Sequence, residues 1–367
     1  MKFATLSFLA LTVAVILASG CEQPSTPSDK KQSTDTYILR ASGDQVVSAY
    51  QWNDLSRFVI FTDNSSYYTY TVCLINADGE YVDQSEVSGN AGEVRMPPAF
   101  HRLNSDYAFT KTYPFTTFDY EVKVTLYDGM TSSIASRSME RELPVETTLT
   151  NDDGSNYFLL TWYEDYMAAP DHLFIESVNS SLETINSTEL PNSGNLTWPM
   201  WAHRLPDSTV LVETANNNGG VYYARLNSQG TFVDSTSYTG RSPLTDTHIL
   251  SDGTIVGLSN GALVAIDSGT LETKWTYGTG IGLYRLTSDG EIVTCSPNAG
   301  AGLTVTFLAS DGSVIRTKSI LEDVDTFSGV PGFDLASNGY FIIGAQSATE
   351  DKKSWLLRTD AEGNFDY

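Results

Sequence analysis

The chain has 367 residues, with 45 Asp and Glu against 21 Lys and Arg, a formal net charge of −24 at pH 7. So acidic a composition argues against nucleic acid or an anionic lipid surface as partner, since both need basic patches that neutralise phosphate. The acids form no run, so they serve solubility first, and cationic partners and divalent ions stay open.

Residues 1–20 are expected to be an export signal. A single basic residue, Lys2, precedes the apolar run Phe8–Leu17, which is too short to span a bilayer and ends in small residues. The segment Ala18-Ser19-Gly20-Cys21 resembles the lipobox of bacterial lipoproteins, in which the cysteine becomes the lipidated first residue. The resemblance implies that Cys21 carries lipid; the alternative is an ordinary signal peptide cut near the same place. Residues 21–36 are then the lipidated cysteine and a flexible tether, because Glu22–Thr36 has no aromatic or aliphatic side chain to bury. Glu22, in place of the aspartate that favours inner-membrane retention, leans the expected location towards the outer membrane of a bacterial envelope.

Residues 37–367 read as one all-β domain. Its first strand, Tyr37-Ile38-Leu39-Arg40, has no unit of its own. Thereafter two turn signals alternate. One follows a leucine, as in Leu149 to Asp153-Gly154, Leu205-Pro206-Asp207, Leu250-Ser251-Asp252-Gly253, Leu286 to Asp289-Gly290 and Leu335 to Asn338-Gly339, and predicts tight hairpins between the first two strands of a unit. The other ends a third strand in Asx-x-Gly, with glycines at 79, 129, 230, 269, 312 and 363, separated by 50, 101, 39, 43 and 51 residues. The gap of 101 has room for a degenerate copy near Val178-Asn179-Ser180. A period of this size with four strands per unit predicts a β-propeller. Counting hairpins predicts seven four-stranded antiparallel blades beginning near residues 46, 97, 145, 199, 245, 281 and 331. Because only Asn364-Phe365-Asp366-Tyr367 follow Gly363, the N-terminal strand is expected to complete the seventh blade and close the ring. Cys73 and Cys295 fall in the first and sixth blades within apolar strands, and are expected to be buried thiols, too far apart for a disulfide.

The segment Leu263-Val264-Ala265-Ile266-Asp267-Ser268-Gly269-Thr270, ending in Lys274-Trp275-Thr276-Tyr277-Gly278, resembles the PQQ-like repeat of quinoprotein propellers. That resemblance implies that Trp275 docks one blade on the next. Residues Gly339–Gly344 with Trp355–Gly363 are similar to repeats of secreted bacterial propellers. Quinone-dependent dehydrogenases of that kind carry several docking tryptophans and commonly vicinal cysteines; with one such motif and no vicinal cysteines here, no cofactor is expected. Motifs for a nucleophile elbow, a zinc protease, a phosphate loop, a dinucleotide or calcium are not found, and Asn151-Asp152-Asp153-Gly154-Ser155-Asn156 reads as a turn. No catalytic residue and no metal site is assigned.

Strand alternation sends both kinds of short turn to one face, expected to be plain, and the longer aromatic connections to the other. These connections are Tyr113–Tyr120, Trp162–Tyr166 and Thr197–Trp201, which makes Trp162, Trp198 and Trp201 candidates for contact with a sugar ring or a peptide side chain; the alternative for each is packing between blades. Aligning first strands on the leucine before the turn yields Phe100-His101-Arg102-Leu103, Ala202-His203-Arg204-Leu205, Thr247-His248-Ile249-Leu250, Leu283-Tyr284-Arg285-Leu286 and Phe333-Asp334-Leu335. His101, His203, His248 and Tyr284 share one position and Arg102, Arg204, Arg285 and Asp334 the next, hence opposite sides of the strand. They are expected at a channel mouth on the long-connection face, where they bind a small polar ligand or join adjacent blades through the acids. His172, outside the pattern, is expected on the surface. The functional expectation is a lipid-anchored extracytoplasmic propeller that binds or assembles with a protein or glycan at its long-loop face. The alternative is a glycan-processing hydrolase or lyase at the channel mouth, with Asp334 as its plainest acid.

Overall fold

The computed structural model describes residues 36–39, 45–53, 56–62, 69–76, 81–88, 99–102, 108–112, 120–127, 133–141, 147–151, 158–164, 172–190, 196–216, 219–287, 289–321, 326–335, 341–348 and 354–359, with side chains chiefly between 174 and 335. The expected signal, Cys21 and its tether as far as residue 35, the connections 113–119 and 165–171, the turn at 152–157 and the chain beyond 359 lie outside the described residues. So do the side chains of Cys73, His101, Arg102, Trp162, His172 and Trp198.

All regular structure among the described residues is β, in four-stranded antiparallel sheets. A lone strand β1 (Thr36–Leu39) precedes them. The first sheet is β2 (Gln45–Asn53), β3 (Ser56–Thr62), β4 (Thr69–Asn76) and β5 (Tyr81–Ser88). The second is β6 (Ala99–Arg102), β7 (Ala108–Thr112), β8 (Tyr120–Tyr127) and β9 (Ser133–Arg141). The third is β10 (Thr147–Asn151), β11 (Phe158–Glu164), β12 (His172–Val178) and β13 (Thr184–Leu190). The fourth is β14 (Leu196–Arg204), β15 (Val210–Asn216), β16 (Gly220–Leu226) and β17 (Phe232–Thr239). The fifth is β18 (Thr245–Ile249), β19 (Thr254–Ser259), β20 (Ala262–Asp267) and β21 (Thr273–Tyr277). The sixth is β22 (Leu283–Leu286), β23 (Ile292–Pro297), β24 (Leu303–Leu308) and β25 (Val314–Ile320). In the seventh, β26 (Phe327–Leu335), β27 (Phe341–Ser347) and β28 (Ser354–Thr359) are joined by β1 as the fourth strand, with Thr36 opposite Leu357 and Leu39 opposite Ser354. Strand β2 of the first sheet lies beside β26 and β27 of the seventh.

Successive sheets bury their faces against one another, which explains the continuous apolar runs in their middle strands. In β15 and β16, Val210, Val212, Tyr222, Ala224 and Leu226 pack with Ile175 and Leu190 of the third sheet. The alternate residues Leu211, Val221 and Tyr223 pack with Leu244, just before the fifth sheet, and with Ile255 and Ile266 of that sheet. With a side-chain period of two, a strand buried on both faces cannot alternate apolar with polar. The sixth and seventh sheets meet likewise through Val293, Phe307, Phe333, Ile343 and Leu357. Fourth strands have only one neighbour, and β17 is accordingly exposed along most of its length.

Both turn signals are Asx turns. The Oδ1 of Asp207, Asp252 and Asp311 accepts the N–H two residues on, and Asn227 Oδ1 accepts from Gln229 and Thr231. The degenerate copy keeps the device: Asn179 Oδ1 accepts from Ser181 and Glu183. Leu182, with φ of 60°, takes the left-handed place that Gly230 holds at 76° in the next sheet. Its side chain is buried, which offsets the steric cost of that conformation for a residue with a Cβ.

Candidate functional site

The inner ends of four neighbouring sheets carry the polar residues that the sequence alignment singled out. His203, near the end of β14, shares a hydrogen bond of 2.7 Å between Nε2 and Thr247 Oγ1 of the fifth sheet. Burial lowers its pKa to about 4, helped by nearby His248 and opposed by the Thr247 bond, so the ring is neutral at pH 7. His248 meets the Tyr284 ring edge-on at 5.2 Å, and burial likewise lowers its pKa although Asp246, with Oδ1 3.8 Å from Nε2, pulls it up. Tyr284 is fully buried and donates its hydroxyl to the Val256 carbonyl of the fifth sheet at 2.6 Å.

Arg285 lies between two carboxylates from different sheets. Its Nη1 is 3.0 Å from Asp246 Oδ2 of the fifth, and its Nε is 3.4 Å from Asp334 Oδ1 of the seventh. Asp246 sits in a bulge of β18, between Thr245 and His248, with φ of 47°. That conformation suits Asp better than most residues, and the extra residue turns its carboxylate towards Arg285. Asp334 is buried.

These placements change several expectations. His203, His248, Arg285 and Asp334 fall in the last part of their first strands, beside the short turn, so they lie at the turn-face end and not at a mouth on the long-connection face, while Asp246 stands near the start of β18. Trp201 is not in a connection: it pairs with Glu213 inside β14, is 2% exposed, and contacts His203 at 5.3 Å and Tyr223 at 6.1 Å between ring centroids. Trp198 belongs to the same strand, opposite Ala215, and Trp162 to β11, opposite Thr147 and Phe174. The aromatic run expected as a connection is strand, with Pro199 opposite Thr214 beside a register shift, a place where a ladder tolerates proline. Arg204 closes β14 and donates to the Ser208 carbonyl at 3.1 Å. It lines a cavity of about 190 Å³ between the third and fourth sheets with Asn186, Thr188, Ser228, Ile185 and Leu226. The turn face is therefore not plain.

Two features escaped sequence reasoning. Glu213 is fully buried; its Oε1 accepts the Leu244 N–H at 2.7 Å, while Oε2 is buried beside Trp201 and Tyr223. Burial pushes its pKa up to about 7, against the pull of Tyr223, the Leu244 bond, Trp201 and Arg241. An acid closing the apolar run Val210-Leu211-Val212 was the available signal. The second feature is a chain of contacts on the turns. Asn186 Nδ2 of β13 donates to the Gln229 carbonyl at 3.1 Å, and Thr188 Oγ1 to that of Gly230. Arg225 of the fourth sheet donates to Ser268 O at 2.7 Å, and Trp275 Nε1 of the fifth to Ser310 O of the sixth at 2.9 Å. The docking role that the repeat implied for Trp275 is thus what its geometry performs, and other side chains fill that role elsewhere.

Among the described residues no three His, Cys, Asp or Glu side chains are grouped to hold a metal ion. Cys295 is a free buried thiol whose pKa burial pushes up to about 12.

No protein-family model and no curated protein matches the sequence. Among solved structures the chain is similar to streptogramin B lyase, with a TM-score of 0.50, 13% identity and coverage of 89% of this chain and 97% of that one. The fold is that of a β-propeller. A protein of unknown function from Bacteroides caccae also matches, with a TM-score of 0.43, 11% identity and coverage of 68% of this chain and 90% of that one.

Proposed function

We propose that the chain is a lipid-anchored, extracytoplasmic, seven-bladed β-propeller, closed by its N-terminal strand, that acts as a binding or assembly module for a protein or glycan through its long-loop face. The observation that supports the closed scaffold is the pairing of β1 with β28, together with the position of β2 beside β26. A ring joined in this way leaves no sheet end open and holds its connections on a rigid frame, where binding residues commonly sit. The inner polar residues favour a scaffold over turnover. His203, Tyr284, Arg285 and Asp334 each bond to a neighbouring sheet, so the acid that the glycan-processing alternative would use is engaged in an ion pair. Lipid on Cys21 and the tether after it would hold the module at a bacterial outer membrane.

The test is affinity capture of the full chain from envelope membranes with its lipid intact, with captured proteins identified by mass spectrometry and glycans by array. The same capture is run on Trp198→Ala and on a variant whose residues 165–171 are replaced by a Gly/Ser segment. Capture lost in the variants supports the long-loop face, and capture unchanged in both refutes it. Turnover of a polysaccharide that Asp334→Asn abolishes in a folded protein would establish the enzyme instead.

A further inference from the structure

The direction of β1 fixes where the tether meets the domain. Strand β28 runs from the long-connection face towards the turn face, because β27 and β28 follow the short turn that ends β26. Since β1 is antiparallel to β28, with Thr36 opposite Leu357 and Leu39 opposite Ser354, the chain arrives at Thr36 from the turn face. Fifteen peptide units separate Cys21 from Thr36, a reach of at most about 50 Å when fully extended.

A second observation concerns the same face. Among the described residues the large apolar side chains that stand exposed are Ile134, Ile185, Val233, Val314 and Ile315, between 43% and 56% accessible. Each occupies the first or second position of an outer strand: β9, β13, β17 or β25. Outer strands begin at the turn face, so all five lie on its perimeter. The equivalent place in β21 is Lys274, held by Asp252 and Thr254. Singly such residues are ordinary, but among the described residues all of them share one rim, where together they offer an aliphatic contact surface.

We propose that the turn face is the membrane-proximal face of the anchored protein, its aliphatic rim resting on the headgroup region of the bilayer while the long-loop face points away. The inference rests on the lipid-anchor reading and adds an orientation to it. The turns of that face carry Asp207, Asp252, Asp267 and Asp311, whose pKa values are lowered by bonds to their own turns, so these carboxylates stay ionised. The bilayer that fits is therefore zwitterionic, with headgroup amines to meet the carboxylates, and a leaflet rich in anionic lipid is disfavoured.

The experiment uses the full lipidated chain in phosphatidylethanolamine/phosphatidylcholine vesicles that contain a headgroup-quencher lipid. A fluorophore is attached at Ile185→Cys, at Ile315→Cys or at Ser237→Cys, an exposed position near the long-connection end of β17, with Cys73 replaced by serine. Emission from positions 185 and 315 should be largely lost, and emission from 237 kept. Hydrogen exchange of the unlabelled protein should show protection of the turns at 227–230 and 309–312 on vesicle binding, which covers the case of a variant that does not fold. Quenching at 237, or none at any position while flotation shows the protein bound, overturns the orientation but leaves the anchor standing. Absence of lipid on Cys21 by mass spectrometry overturns both.

Discussion

The contact between Trp275 and the turn of the next sheet can be measured by a pair of matched substitutions. Gly312 and Gly290 both belong to turns of the sixth sheet and both have φ of +82°. A Cβ on Gly312 would stand 2.7 Å from Trp275 Cδ2 and 2.9 Å from Cε3, whereas one on Gly290 meets no described atom within 4 Å. Gly290→Ala therefore isolates the left-handed backbone cost, about 1–2 kcal/mol. Gly312→Ala adds displacement of the indole, about 1–3 kcal/mol, and weakening of its bond to Ser310, about 1 kcal/mol. The expected losses are about 1.5 kcal/mol for the first variant and about 4 kcal/mol for the second. Urea unfolding followed by far-UV circular dichroism gives both numbers, and Trp275→Ala combined with Gly312→Ala should bring the glycine's increment back to the Gly290 value. Equal losses in the two single variants, within about 0.5 kcal/mol, would refute the docking role.

Replacing Arg285 by Met removes a partner shared by Asp246 and the buried Asp334 and should cost about 3 kcal/mol, and in a double-mutant cycle with Asp334→Leu the two losses should fall short of additive; additive losses would contradict an ion pair between sheets. Glu213 has a folded pKa raised from 4.5 to about 7, so its contribution to stability is present below about pH 4.5 and declines as pH rises through 7, by a total on the order of 3 kcal/mol. His203, lowered to about 4, works in the opposite sense between pH 4 and 6.5, so the informative quantity is the difference between the native chain and Glu213→Gln at pH 5 and pH 8. A difference that does not change with pH would show that Glu213 is not the titrating group. Cys295, buried with its thiol pKa near 12, should resist a thiol reagent in the folded protein and react on unfolding; modification of the native state detected by mass spectrometry would count against that burial.

The repeat was legible because Asx turns depend on local chemistry that one sequence carries openly. An Asp or Asn carboxamide or carboxylate bonds to the backbone two residues on, and a following glycine accepts positive φ. The third sheet hid from a count of glycines because Leu182 takes that conformation, and only its Asn179 remained to be read. Trp201 misled for a different reason. Tryptophan beside proline reads as a connection, and nothing local reveals that Ile255 and Ile266 of the following sheet, with Leu244 just before it, will cover it. The His and Arg alignment found residues that do meet across sheets, since equivalent positions on successive units are brought together by stacking. Its error lay in the face: a leucine that precedes the turn places its neighbours at the turn, and strand direction had to be followed to the end to see it.

The turn contacts all run one way along the chain. In each described case a side chain of an earlier sheet reaches a carbonyl of the sheet that follows: third to fourth, fourth to fifth, fifth to sixth. A nascent chain emerging from the ribosome would therefore complete the turn contacts of the third, fourth and fifth sheets only after the next sheet had been made. Until then each unit keeps a docking side chain without its acceptor, and assembly advances as a moving front one sheet behind synthesis. The order ends where it must turn back, because the seventh sheet takes its fourth strand from the first segment of the domain to have been synthesised. Maturation would thus be vectorial until its last step, and that step returns to the strand that was made first.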